Sequence, residues 1–151
     1  MKPFSILAAA LLALTSGAQA QEDYVRNAKE HVDKADWKTM ETITINITEH
    51  EYAPRDLVLK TGKAYKLELK NPGEKDHYYT APEFFKAVAW RKVMVNKQGE
   101  IKAPYFTAIE ILKKGGQVDL YFVPVNKGKF TVYCTIDDHR EKGMEGSIAV
   151  E

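Results

Sequence analysis

The side chains with the widest range of chemistry lie close together near the C-terminus of this 151-residue chain. Four residues separate Cys134 from His139, and four more separate His139 from Met144, so a thiol, an imidazole and a thioether fall within one short segment. Thiolate and thioether ligands favour Cu(I), whereas imidazole serves both oxidation states of copper. The spacing therefore predicts a metal site in which copper suits every ligand.

A second imidazole is needed to complete such a site. His77, which follows a predicted strand ending near Leu69, is the best candidate. His50 lies between two glutamates and is a lesser candidate, and His31 lies in a charged segment where we expect it to be solvated. Two His and one Cys with a weak axial Met form the ligand set of a mononuclear blue-copper site. One copper ion is therefore predicted, with the ligands His77, Cys134, His139 and Met144.

Each of these residues also has a structural alternative. Cys134 could be an inert buried thiol, and Met144 could simply fill space in the core. His77 could be a surface residue beside two tyrosines. The regular spacing of the three C-terminal residues favours the metal site over these alternatives.

Short β-strands are the elements that must position the ligands. Apolar and polar residues alternate in several runs, which is typical of half-buried strands. These runs are Ile43–Ile47, Asp56–Lys60, Tyr65–Leu69, Ile109–Ile111, Val118–Phe122, Phe130–Thr135 and Gly146–Val150. Seven or eight such strands separated by turns predict an all-β sandwich or barrel. Because Val132 and Cys134 share strand parity, the thiol is predicted to point inward at a strand end.

The segment Thr80–Thr107 interrupts this pattern. Ala81-Pro82-Glu83 resembles a helix start, with Pro at an early helical position. A short helical insertion is predicted from the apolar residues that follow, namely Phe84, Phe85, Val88, Ala89 and Trp90. The run Lys97–Glu100 predicts a turn. The pattern does not say whether this segment covers the metal site or contacts a partner.

The N-terminal part of the chain has a different character. Residues 1–20 have a positive start, an apolar run and a small-x-small site at Ala18-Gln19-Ala20, which is the layout of a secretory signal peptide. The apolar run is shorter than the roughly 20 residues of a membrane span, so an uncleaved anchor is the weaker alternative. We therefore expect export to the periplasm, a charged arm or short helix at 21–40 and one domain at 41–151.

Composition excludes several classes of function. Lys and Arg number 22 and Asp and Glu 21, so the near-zero charge argues against a nucleic-acid partner. No apolar run after residue 20 is long enough to span a membrane. One Cys excludes an intrachain disulfide and any site that needs two cysteines from this chain.

The segment 133–150 resembles the copper-binding loop of the cupredoxins, the type 1 blue-copper proteins, with loop lengths similar to those of rusticyanin. Residues 52–62, 69–71 and His77 resemble other recurrent segments of that family. The resemblance covers about 41–151 except Thr80–Thr107. It implies a Greek-key β-sandwich of eight strands around a type 1 copper centre.

Family members typically surround the loop His with uncharged residues, but here Asp137, Asp138, Arg140, Glu141 and Lys142 flank it. We expect His139 to lie near the surface within this charged ring. The ring favours either salt-dependent docking over an apolar contact, or a protein that holds copper instead of passing electrons. The dinuclear copper domain of cytochrome oxidase needs two cysteines, and copper oxidases and nitrite reductases need further histidines than the four present. No enzyme activity is therefore expected.

A third function, a domain that has lost its metal and only binds partners, is disfavoured by the intact ligand set, so two functions remain open. The first is a monomeric single-electron carrier whose partner is a redox protein such as a c-type cytochrome. The second is a periplasmic protein for copper tolerance or delivery, with a copper donor or acceptor as its partner.

Overall fold

Alternating apolar and polar side chains place most of the chain in β-strands. The computed structural model describes residues 23–151, so the predicted signal peptide at 1–20 lies outside the described residues. In chain order the elements are α1 (Ala28–Lys34), β1 (Glu41–Thr48), β2 (Glu51–Ala53), β3 (Asp56–Leu59), β4 (Tyr65–Asn71), β5 (His77–Thr80), α2 (Pro82–Lys86), β6 (Val88–Val95), β7 (Gly99–Ile101), β8 (Ala108–Ile111), β9 (Gly116–Pro124), β10 (Gly128–Tyr133) and β11 (Glu145–Val150).

The strands form two sheets. The six-stranded sheet has the order β2-β1-β4-β9-β6-β7, and the five-stranded sheet has the order β3-β11-β10-β5-β8. Neighbouring strands are antiparallel except for the parallel pairs β1–β4 and β3–β11. Apolar side chains from both sheets form one buried cluster, which confirms the predicted all-β sandwich with a small helical insertion. The described chain has eleven strands instead of seven or eight, because several three- and four-residue strands are too short to show alternation.

The prediction of a helix through Trp90 was wrong beyond Lys86. The helix α2 ends at Lys86, and Val88, Ala89 and Trp90 begin the strand β6. All three side chains are buried, because the core covers one face of β6 and the N-terminal arm covers the other. A strand buried on both faces lacks alternation and reads like a buried helix. A register shift between Trp90 and Lys92 breaks the period further.

The N-terminal arm contains a short helix. The helix α1 spans Ala28–Lys34, and a single 3-10 turn follows at Trp37–Thr39. Apolar residues of the arm pack on Ala89 and Val123, on the outer face of the six-stranded sheet. The guanidinium of Arg91 lies 4.4 Å from the Trp37 ring centroid and adds a cation–π contact.

The domain limits predicted at residues 20 and 40 stay a prediction. Between residues 23 and 151, no helix is long and apolar enough to span a membrane.

Candidate metal centre

Strand ends bring the candidate ligands to one end of the sandwich. Cys134 directly follows β10 and Met144 directly precedes β11, and these two strands are antiparallel neighbours. The amide of Cys134 donates to the carbonyl oxygen of Met144 at 3.1 Å, which extends the strand pairing by one step. His77 is the first residue of β5, which pairs with β10. The pairing of β10 with β11 and with β5, all in the five-stranded sheet, therefore decides where three of the four candidates lie.

The loop between β10 and β11 is held by its own backbone hydrogen bonds. The amide of His139 donates to the carbonyl of Ile136 at 3.0 Å, and the amide of Met144 donates to the carbonyl of His139 at 3.0 Å. Gly143 has a φ of +98°, a conformation that glycine adopts without steric cost. This turn explains the four-residue step from His139 to Met144, because the chain reverses just before the last strand.

Three donor groups converge at this end. One ligand atom from each of His77, Cys134 and His139 lies within 4.8 Å of the others. The Sγ of Cys134 is 3.6 Å from Nδ1 of His139, and the two imidazole centroids are 5.1 Å apart. The amide of Tyr78 lies 3.4 Å from the same Sγ and can donate a hydrogen bond to it. The arrangement is a thiol and two imidazoles aimed at a common point.

The surroundings of His77 indicate whether a metal fits this point. Its side chain is fully buried, and among the described residues neither Nδ1 nor Nε2 has a hydrogen-bond partner. Burial, together with the nearby His139, lowers the pKa of His77 below 6.5, so its ring is neutral at physiological pH. Buried polar atoms without partners cost free energy, and a neutral imidazole is a metal ligand. The soft and borderline donors present fit a copper ion.

Met144 lies at the same end of the sandwich, but its side chain is packed in the apolar core. Its side chain is fully buried and belongs to the apolar cluster that also contains Cys134. The hydrogen bonds at its amide and carbonyl fix its backbone beside the thiol and the loop imidazole. The structure thus brings Met144 to the site, and its role as an axial ligand stays a prediction.

His139 is less accessible than its charged neighbours suggest. Asp138 and Arg140 are exposed, but the His139 side chain is only 2% exposed. The expectation of a ligand near the surface therefore holds for the flanking residues and not for the imidazole itself. The ring of His50 packs edge-on against His139, with centroids 4.9 Å apart and an interplanar angle of 84°. On sequence alone His50 is only a lesser candidate for a ligand, because no spacing motif connects it to the C-terminal loop.

The charges around the loop are largely paired with each other. Asp138 forms an ion pair with Lys142 at 2.9 Å, and Arg140 forms one with Glu145 at 2.6 Å. The Arg140 guanidinium also lies 4.0 Å from the centroid of Tyr133. These contacts compensate part of the charge at the rim of the site, whereas Asp137 and Glu141 form no ion pair among the described residues.

Known proteins share this fold. A family model described as a cupredoxin-like domain matches residues 5–150. The dithionite-reduced auracyanin of the photosynthetic bacterium Roseiflexus castenholzii is similar with a TM-score of 0.50 and 18% identity, over 73% of this chain and 96% of that chain. Auracyanin B is similar with a TM-score of 0.52 and 13% identity, over 75% of this chain and 89% of that chain.

A multicopper oxidase from the hyperthermophile Aquifex aeolicus has a TM-score of 0.55 and 14% identity, over 77% of this chain but 30% of that chain. Identities this low show a common fold alone. A comparison with curated protein sequences finds no match.

Proposed function

Since the chain belongs to the cupredoxin-like family, we propose that it is an exported mononuclear copper protein that carries single electrons. One observation carries the proposal: a buried thiol and two buried imidazoles converge at the end of two packed sheets. Copper bound there supplies a one-electron couple between Cu(I) and Cu(II). The residues that would hold the ion in this proposal are His77, Cys134 and His139, with Met144 as a weaker fourth ligand.

The chain's own groups prepare the site for that couple. Cys134 would hold copper as a thiolate, with its proton passing to solvent, and the Tyr78 amide 3.4 Å away would stabilise the negative sulfur. Burial keeps His77 neutral, so no proton has to leave that ring before the metal binds. His77, Cys134 and Met144 are anchored at the ends of β5, β10 and β11, and His139 is held by the backbone hydrogen bonds of the loop, so a bound ion would require little movement of these groups. Small movement favours fast electron exchange.

The setting of this function is also proposed. The leader-like residues 1–20 support export to the periplasm, and a redox protein such as a c-type cytochrome is the proposed partner of a monomer. The four histidines of this chain do not supply a second copper cluster beside the first, so we propose electron transfer and not catalysis.

Reconstitution with Cu(II) tests the copper centre. The purified protein should develop an intense thiolate-to-copper charge-transfer absorption in the visible range. Cys134→Ser removes the thiolate and should lose this absorption, whereas Thr135→Ser, at the exposed next position, should keep it. Full absorption in Cys134→Ser protein would overturn the assignment of the site.

A second candidate is copper tolerance or delivery on the same fold. The observation that favours it is the burial of His139, whose ring also contacts His50, because little of the imidazole is left exposed to a redox partner. Two rates separate the candidates: electron exchange of the copper-loaded protein with a c-type cytochrome, and copper transfer to a chelator. Exchange far faster than copper release supports the carrier, and the reverse supports delivery.

A further inference from the structure

A third imidazole lies beside the metal centre and has no assigned role. The His50 ring contacts His139 edge-on, yet His50 is not among the three residues whose donor atoms lie within 4.8 Å of one another. Its Nε2 is buried, and among the described residues no hydrogen-bond partner reaches it. A buried nitrogen without a partner costs free energy unless a ligand satisfies it.

The backbone at His50 is also unusual. Thr48 pairs with Glu51, so Glu49 and His50 form the two-residue turn between β1 and β2. His50 has a φ of +60°, in the left-handed region that glycine and asparagine occupy more readily. A two-residue hairpin turn requires such a conformation, which histidine adopts more often than most residues, and the turn places the imidazole against His139.

Burial orders the imidazoles from the surface inward. The side chain of His50 is half-buried, whereas His77 and Cys134 are at most 1% exposed and His139 is 2% exposed. Of the three histidines gathered at this end, His50 is therefore the most exposed, and its buried Nε2 lies on the side of the ring turned away from solvent. Imidazole binds copper in both oxidation states, so the outer ring suits either form of the ion.

We propose that His50 is a transit ligand, which binds copper through Nε2 as the ion enters or leaves the centre. This inference rests on the proposed copper site and adds a residue to it. His50 releases the ion as Cys134 and His77 bind it, the thiol proton passes to water, and no oxidation state changes. A ligand tethered beside the final site raises the local concentration of the ion for its transfer inward.

Loading kinetics test this proposal. Apoprotein is mixed rapidly with a Cu(II) salt, and the rise of the charge-transfer absorption is followed; copper removal by excess EDTA is followed on the loaded protein. The variants are His50→Asn and His50→Gly, which both accept the positive φ, with His31→Asn on α1 as the matched control. Both His50 variants should slow loading and removal by about tenfold and reach the wild-type spectrum. His31→Asn should match the wild-type protein in both rates.

Three results would overturn the proposal. Wild-type rates of copper loading and removal in either His50 variant would show that the imidazole is not needed. This holds even if His50→Asn loads slowly while His50→Gly loads at the wild-type rate. Loss of the final absorption in both variants would make His50 a resident ligand. A wild-type protein without the absorption would instead overturn the copper centre itself, so the two failures are distinguishable.

Discussion

Cys134 and Met144 face each other across the ends of β10 and β11, joined by a backbone hydrogen bond of 3.1 Å. Their side chains are both buried in the same cluster, so the two sulfur atoms of the predicted site come from adjacent strands. The pairing holds the backbone of Met144 in place independently of any metal. Loss of the thioether should therefore leave the rest of the centre intact.

Met144→Gln should keep copper and its visible absorption while changing the reduction potential. An axial thioether is a weak and long ligand, so copper affinity should fall by less than about tenfold. Met94→Gln, at a half-buried position on β6, is the control and should change neither quantity. Potentiometric titration and copper analysis measure the two effects. A Met144→Gln protein that lost its copper outright would contradict this role.

Removal of two loop carboxylates should raise the potential. Asp137 and Asp138 precede the loop imidazole, and nearby negative charge favours Cu(II) over Cu(I). Lys142 pairs with Asp138 and lowers its pKa, so part of this charge is already compensated. The double change Asp137→Asn with Asp138→Asn should raise the potential on the order of tens of millivolts at low salt, and added salt should reduce the difference.

The control for this pair is Glu30→Gln with Asp33→Asn on α1, which removes the same charge from exposed positions on the arm. It should leave the potential unchanged. A loop variant with an unchanged or lower potential would show that solvent screens these carboxylates completely.

Stability should depend on Glu68 in acid. Hydrogen bonds from Lys66 and Lys70 lower the pKa of Glu68 from 4.5 to about 2. The folded state therefore holds this proton less tightly than the unfolded chain, and the stabilisation is complete above pH 4.5 and lost as the pH falls toward 2. Glu68→Gln should reduce the free energy of unfolding by about 1–2 kcal/mol at pH 7 and by little at pH 2.5.

Urea denaturation at several pH values measures this effect. The exposed Glu141, which has no ion pair among the described residues, provides the control Glu141→Gln, which should change the free energy of unfolding little at pH 7. A Glu68→Gln deficit that stayed constant from pH 7 to pH 2.5 would contradict the role of the ion pairs.

Docking of the N-terminal arm should depend on its thin apolar face. Val32 packs with Val25 against Ala89 and Val123, so Val32→Asp would bring a carboxylate to an apolar contact. The expected cost is about 1–3 kcal/mol, with faster proteolysis in residues 23–40 and an unchanged copper spectrum. Val58→Asp, at a 63% exposed position on β3, is the control. Equal proteolysis in both variants would show that the arm does not depend on this contact.

Local patterns were sufficient to predict much of this protein. The spacing of Cys134, His139 and Met144 could be interpreted without the fold, because one strand end, one loop and one strand start contain all three. The strands β1, β4 and β11 also follow from alternation, because each has one face toward the core and one toward solvent.

Tertiary structure alone decided the remaining features. β6 lacks the alternation of a strand because α1 covers its outer face, and no local rule predicts that cover. Likewise, the β1–β2 turn brings His50 to His139 from 89 residues away, and the His139 ring is buried although its neighbours in the sequence are charged and exposed. Composition and spacing describe what each segment prefers, whereas contacts between distant segments depend on how the sheets pair and pack.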